Sequence, residues 1–319
     1  MTQDAVASPV GIEEIEAAAR RVAPYVLRTP VLDGSALGTG PLWLKAESLQ
    51  KTGSFKVRGA FNAVLQLSAE ERARGVITLS AGNHGMALAL AAASARLRCV
   101  VVLPDDAPAM KARAIARLGA ELLPTPRAEL GSRLDQERER QGLTLVHPFD
   151  DPAVVAGQGT VGLEILEAVP EAGTIVVPVG GGGLIAGIAA AVKARRPSVR
   201  VVGVEPEICA AVSDSLRAGR PVAPQRFDTV ADGLAAPYTR PLNLGLIERL
   251  VDGMVQVSES QIVAAVRAVA VDLRLVVEPA GAAAVAALRE GRVAGGAGAT
   301  VAVLSGSNVD PERLAAWLA

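Results

Sequence analysis

The chain has 319 residues, a formal net charge of −1, half of its residues hydrophobic and 20% charged. That is enough apolar material for two modest domains or one large α/β domain, and it excludes general disorder. There is no basic block of the kind nucleic acid requires, and two cysteines with two histidines provide neither a disulfide framework nor a zinc-ligand spacing.

The first ten residues, MTQDAVASPV, lack a basic run followed by an apolar core, which points away from export and towards the cytoplasm. Periodicity then predicts helices over 12–22, 55–67, 84–95, 107–118, 152–168, 184–195, 259–275 and 279–288. Strand-like runs occupy 42–46, 76–79, 99–103, 174–179, 199–205, 251–257 and 300–304. Several of these runs are uniformly apolar, as in a parallel sheet covered on both faces, and the β–α alternation predicts a doubly wound α/β architecture. Cys99 opens one such run and reads as a buried structural thiol. The uncharged stretch 172–192 is long enough to raise the question of a membrane span. Pro178 and four consecutive glycines break it, so strand, loop and helix is the better reading. The polar stretch 124–142 and the turn at 147–152 suggest a domain boundary near residue 148. Asp310 and Pro311 have the look of an N-cap and first residue of a terminal helix.

Four segments carry the chemistry. In KTGSFKVRGA (51–60), Thr52 and Ser54 suit the mouth of a helix, which places Lys56 in the first turn beside Lys51 and Arg58. The helix dipole and the neighbouring cations both favour a neutral amine there, the form that attacks an aldehyde. An ordinary surface lysine is the plain alternative. In SAGNHG (80–85), a strand-to-helix turn offers backbone N–H groups to a carboxylate and Asn83 adds an amide, although a simple cap would look the same. Gly180, Gly181, Gly182, Gly183 and Leu184 follow a strand and open an apolar helix, an arrangement that folds amides around an anion. No Gly-Lys-Ser/Thr ending follows, so this is no nucleoside-triphosphate loop. Gly181, Gly183 and Ala186 with Glu205 also fit a degenerate dinucleotide fingerprint, which keeps an oxidoreductase open. Finally, Ser305 in SGSN (305–308) ends a strand, where its hydroxyl could meet a heterocyclic nitrogen.

Taken together, KTGSFKVRGA, SAGNHG, HPFDDPAVVAGQGT, PVGGGGLIAG, the ADG at 231–233, VEPAGA (277–282) and LSGSNVD resemble, in order and approximate spacing, the fold-type II pyridoxal-phosphate enzymes. The resemblance is to the serine/threonine dehydratase and serine racemase branch and spans nearly the whole chain. It implies two domains, each with a mostly parallel twisted sheet flanked by helices. Residues 1–70 and 149–319 would form a large cofactor-binding domain, and residues 71–148 a small one carrying the substrate-carboxylate loop. By the same resemblance Lys56 is the Schiff-base lysine, Phe55 the ring beside the cofactor, and Asn83 the contact to its 3′-oxygen. Residues Gly180 to Leu184 are the phosphate loop, Ser305 faces the pyridine nitrogen, and Gly233 and Glu278 line the ring. Ser80, Ala81, Gly82, Asn83 and His84 would hold the substrate carboxylate.

The implied activity is dehydration of L-threonine and L-serine to a 2-oxo acid and ammonia. Racemisation of an amino acid, or dehydration of a related substrate such as hydroxyaspartate, remains the alternative. Racemase members carry a serine immediately before Gly-Asn-His, where this chain has Ala81, although Ser80 lies next to it. Members that bind a divalent cation use three oxygen donors; the matching positions here are Glu205, Cys209 and Ala211, so a carboxylate is missing and no metal is expected. The resemblance further implies a homo-oligomer, dimer or tetramer, acting on a free amino acid, with neither nucleic acid nor membrane as partner. With the chain ending at Ala319, it implies no C-terminal regulatory domain.

Overall fold

In a computed structural model of the protein, residues 10–38, 40–294 and 296–319 are described; most of the N-terminal segment read for export lies outside them. The chain runs through α1 (Ile12–Val22), β1 (Val31–Asp33), β2 (Leu42–Lys45), α2 (Lys56–Val64), α3 (Ala69–Arg74), β3 (Val76–Leu79), α4 (Asn83–Ser94), β4 (Cys99–Pro104), α5 (Ala109–Arg117) and β5 (Glu121–Thr125). It continues through α6 (Leu130–Gln141), β6 (Thr144–Leu145), α7 (Pro152–Ala168), β7 (Ala172–Pro178), α8 (Gly183–Arg195), β8 (Arg200–Pro206) and α9 (Ala211–Ala218). The last elements are α10 (Pro241–Leu250), β9 (Gly253–Val257), α11 (Glu259–Leu273), α12 (Pro279–Arg289), β10 (Ala299–Val303) and α13 (Pro311–Leu318).

Two sheets result. The larger has the order β1-β2-β10-β7-β8-β9, parallel except for the β1–β2 pair, and the smaller has the all-parallel order β5-β4-β3-β6. Alternate residues of each central strand enter cores on opposite faces. Ile175 and Val177 of β7 pack beneath α7 and α8, whereas Val176 packs with α11 and α12. Val76 and Val101 face α2 and α4, whereas Ile77 and Val102 face the other side. Each such buried Val or Ile stabilises the sheet by about 1.5–3 kcal/mol, which is why the strands read as continuous apolar runs. Cys99 is buried in this core, and burial pushes its thiol up to about 12. No helix among the described residues is long and apolar enough to cross a membrane.

The polar stretch 124–142 holds the end of β5, which pairs with β4, and α6, which covers the small sheet with an acidic and basic outer face. Five short or weakly patterned elements (α3, α6, α9, α10 and β6) and the edge strands β1 and β5 were not legible in the periodicity. The terminal helix begins as expected, Asp310 Oδ1 accepting from the Glu312 and Arg313 N–H groups.

Candidate active site

The loops at the carboxyl ends of β3, β7 and β10 converge on one cavity of about 880 Å³, the usual place for a ligand in parallel α/β sheets. Its wall includes every residue singled out above for cofactor or substrate: Phe55, Lys56, residues 80–84 and 180–184, Gly233, Glu278 and Ser305.

Lys56 opens α2 and donates from Nζ to the Pro148 carbonyl at 2.7 Å, with its amine 5.3 Å from the Phe55 ring centroid. Burial lowers the amine pKa to about 8, against the Glu278 carboxylate, which holds it up. The amine is shifted in the direction expected from its neighbours, but the cause is burial and not the nearby cations. Arg58 is fully buried and turned away into an ion cluster: its guanidinium takes both Glu47 oxygens at 2.8 and 2.7 Å and both Glu164 oxygens at 2.7 and 2.9 Å. Nor do Thr52 and Ser54 cap α2. Phe55 is the N-cap residue, and both hydroxyls are buried without a partner among the described residues.

Asn83 is no helix cap either. It is the first residue of α4, and its Nδ2 donates to Glu278 Oε1 at 2.7 Å while its Oδ1 accepts from Asn308 Nδ2 at 2.7 Å. Among the described residues one N–H of its amide meets no acceptor and is left for a ligand. Burial and the nearby Asp232 charge push the Glu278 carboxyl up to about 7, against the Asn83 hydrogen bond. Gly233 lies across from it: a Cβ there would stand 2.9 Å from that of Ala280 and 3.7 Å from Glu278 Oε1. Among the described residues the Ser305 hydroxyl makes only a long bond, Oγ to the Ala280 carbonyl at 3.4 Å, so it can turn to a better partner.

The glycine loop leaves β7 and enters α8 through Gly182 at φ +92°, a left-handed conformation suited to glycine. A Cβ on Gly181 would lie 2.4 Å from the Phe149 ring. The amides of Gly181 and Gly182 meet no acceptor among the described residues, so they and the first turn of α8 form a cradle for an anion. Three residues that shape this loop escaped the sequence reading: Phe149 packs on it, and Thr239 and Asn243 bind the Gly181 carbonyl at 3.3 and 3.0 Å. No motif marks the last two; only a fold that brings α10 behind the loop reveals them.

In the SAGNHG turn, Ser80 Oγ accepts from the N–H groups of Gly82 and Gly85 at 3.2 and 3.1 Å, and Ala81 presents only a methyl group. His84 is buried, with Nε2 donating to the Val146 carbonyl at 3.0 Å, and burial lowers its pKa to about 3. It is a neutral structural ring at pH 7. Glu205, the acid of the dinucleotide alternative, is spent on α9: Oε1 accepts from the Val212 N–H at 2.8 Å, and Oε2 from the N–H and Oγ of Ser213 at 2.9 and 2.5 Å.

The residues fit pyridoxal phosphate, with a buried amine of lowered pKa for the aldehyde, free glycine amides for the phosphate, and uncommitted donors on Asn83 and Ser305. The family model of the pyridoxal-phosphate dependent enzymes matches residues 22–306, and the chain belongs to that family. Its cofactor is therefore pyridoxal phosphate, and the dinucleotide reading falls. Within the family the chain is 40% identical to the L-threonine ammonia-lyase of Thermotoga maritima, over 94% of this chain and 76% of that protein. It is equally 40% identical to the serine racemase of Arabidopsis thaliana, over 87% of this chain and 85% of that one. The structure of maize serine racemase superposes with a TM-score of 0.92 at 36% identity, covering 97% of this chain and 96% of that one.

Proposed function

We propose that the protein is an L-threonine/L-serine dehydratase, releasing ammonia and a 2-oxo acid. The observation that carries this reading over racemisation is the turn at 80–85. Ala81, the residue immediately before Gly-Asn-His, has no proton to give; the neighbouring Ser80 hydroxyl is held in its own loop by the two backbone amides it accepts from and keeps its O–H proton. Inverting an α-carbon needs a proton delivered to the face opposite the base; elimination needs only removal of the α-proton and departure of the β-hydroxyl. The racemase names among equally similar relatives keep racemisation as the second reading, with hydroxyaspartate-type substrates beside it.

Bound pyridoxal phosphate supplies the electron sink for the pair left at the α-carbon. Lys56 would hold it and Phe55 flank it. Asn83 would donate to its phenolic oxygen, and residues 180–184 would cradle its phosphate. Ser305 would meet its ring nitrogen, while Gly233 and Glu278 line the ring. The substrate carboxylate would rest on residues 80–84. Lys56, once free and neutral, takes the α-proton; with a pKa near 8 it is both a competent base and an acid able to return that proton. Loss of the β-hydroxyl as water and hydrolysis of the released enamine balance the reaction. The domain division at 70/71 and 148/149 belongs to this proposal, as does a homo-oligomer working in the cytoplasm. An ammonia-release screen over β-hydroxy amino acids, with chiral analysis of the remaining serine, tests it. Pyruvate from L-serine should form much faster than D-serine, and comparable rates would move the racemase reading ahead.

A further inference from the structure

The glycine loop and the turn after β6 are joined by one side chain. Asn243, on α10, is completely buried; its Nδ2 donates to the Phe149 carbonyl at 2.8 Å and to the Gly181 carbonyl at 3.0 Å. Both amide hydrogens are thereby used. Thr239 Oγ1 adds a longer bond to the same Gly181 carbonyl at 3.3 Å. In a planar trans peptide the C=O and the following N–H point in opposite directions. With the Gly181 carbonyl drawn back towards α10, the Gly182 N–H is aimed away from α10. The Phe149 carbonyl belongs to the residue after Pro148, whose own carbonyl accepts from Lys56 Nζ. Asn243 also keeps a buried Oδ1 with no partner among the described residues. Burying an unsatisfied oxygen is unfavourable, so stability alone is a poor reason for asparagine at this position.

We propose that Asn243 is a positioning residue: by holding the Gly181 carbonyl from behind, with the Phe149 carbonyl as its second anchor, it aims the Gly182 amide at a phosphate. The proposal rests on the reading that residues 180–184 take the cofactor phosphate. It does not make Asn243 a ligand.

The experiment measures Kd of the cofactor-free protein for pyridoxal phosphate and for pyridoxal, which has the same aldehyde and no phosphate. The ratio of the two isolates what the loop contributes. Asn243→Leu, of similar size but without donors, should weaken pyridoxal phosphate by about tenfold or more, the scale of one hydrogen bond to a charged group. Pyridoxal should change by less than about threefold, the ordinary effect of a distant substitution on this scale. Thr239→Val should move the ratio in the same direction by a smaller factor. Equal weakening of both aldehydes, or of neither, would overturn the positioning role. If the unaltered protein itself fails to prefer pyridoxal phosphate over pyridoxal, the phosphate-loop reading is wrong, and the inference goes with it. Should Asn243→Leu not fold, Thr239→Val decides by the same ratio: a selective loss supports the role and an unchanged ratio overturns it.

Discussion

The Lys56 amine offers a direct test of how burial prepares this site. A pKa of about 8 leaves about a tenth of the amine neutral at pH 7, against about one part in three thousand for an ordinary lysine. The gain in neutral amine is therefore roughly 300-fold, and it comes first from burial, with Glu278 working against it. Glu278→Gln keeps the acceptor for Asn83 but removes the charge that stabilises the ammonium, so the Lys56 pKa should fall further. The size of the difference depends on pH. Because Glu278 itself binds a proton near pH 7, the variant and the unaltered protein should differ above that pH and converge below it. Trace acetylation of the cofactor-free protein across pH 6–11, read at Lys56 by mass spectrometry, gives the midpoint. A midpoint above 10 in the unaltered protein, or an upward shift in Glu278→Gln, would refute the argument from burial and charge.

The loop, the reaction choice and the metal question give three more tests. Gly182→Val places a branched side chain at φ +92° and 2.8 Å from Ile247 Cδ1. Its cofactor affinity should drop and its stability should fall by about 1–2 kcal/mol for the backbone alone, read by cofactor titration and urea melts; unchanged occupancy would mean the loop is only a hinge. Ala81→Ser restores a hydroxyl before Gly-Asn-His, and chiral analysis of serine after partial turnover should show a larger D-serine share with elimination retained. Because both Glu205 oxygens are already bonded to α9, EDTA should leave activity and thermal midpoint unaltered; a large loss restored by magnesium or calcium would show oxygens completing a cation site there.

Much of this protein is written locally. Lys56 in KTGSFKVRGA, the four glycines after an apolar strand and Ser305 at the end of another are contiguous patterns, because strand, turn and helix start are neighbours along the chain. The central strands were equally legible, since a parallel strand buried on both faces must be apolar throughout. The edge elements were not. β1, β5 and β6 are short and half-exposed, and α6 carries almost no apolar face, so their placement depends on what they pair with. The cause of the Lys56 shift was also invisible. Sequence neighbours suggested Arg58, but the fold pairs Arg58 with Glu47 and Glu164, residues 11 and 106 positions away, and leaves burial and Glu278 to set the amine. Asn83 met Glu278 across 195 residues, and Asn243 met Gly181 across 62. Local patterns determined which groups could do the chemistry; only tertiary packing decided what surrounds them, because solvent exclusion and hydrogen-bond partners are properties of the folded neighbourhood.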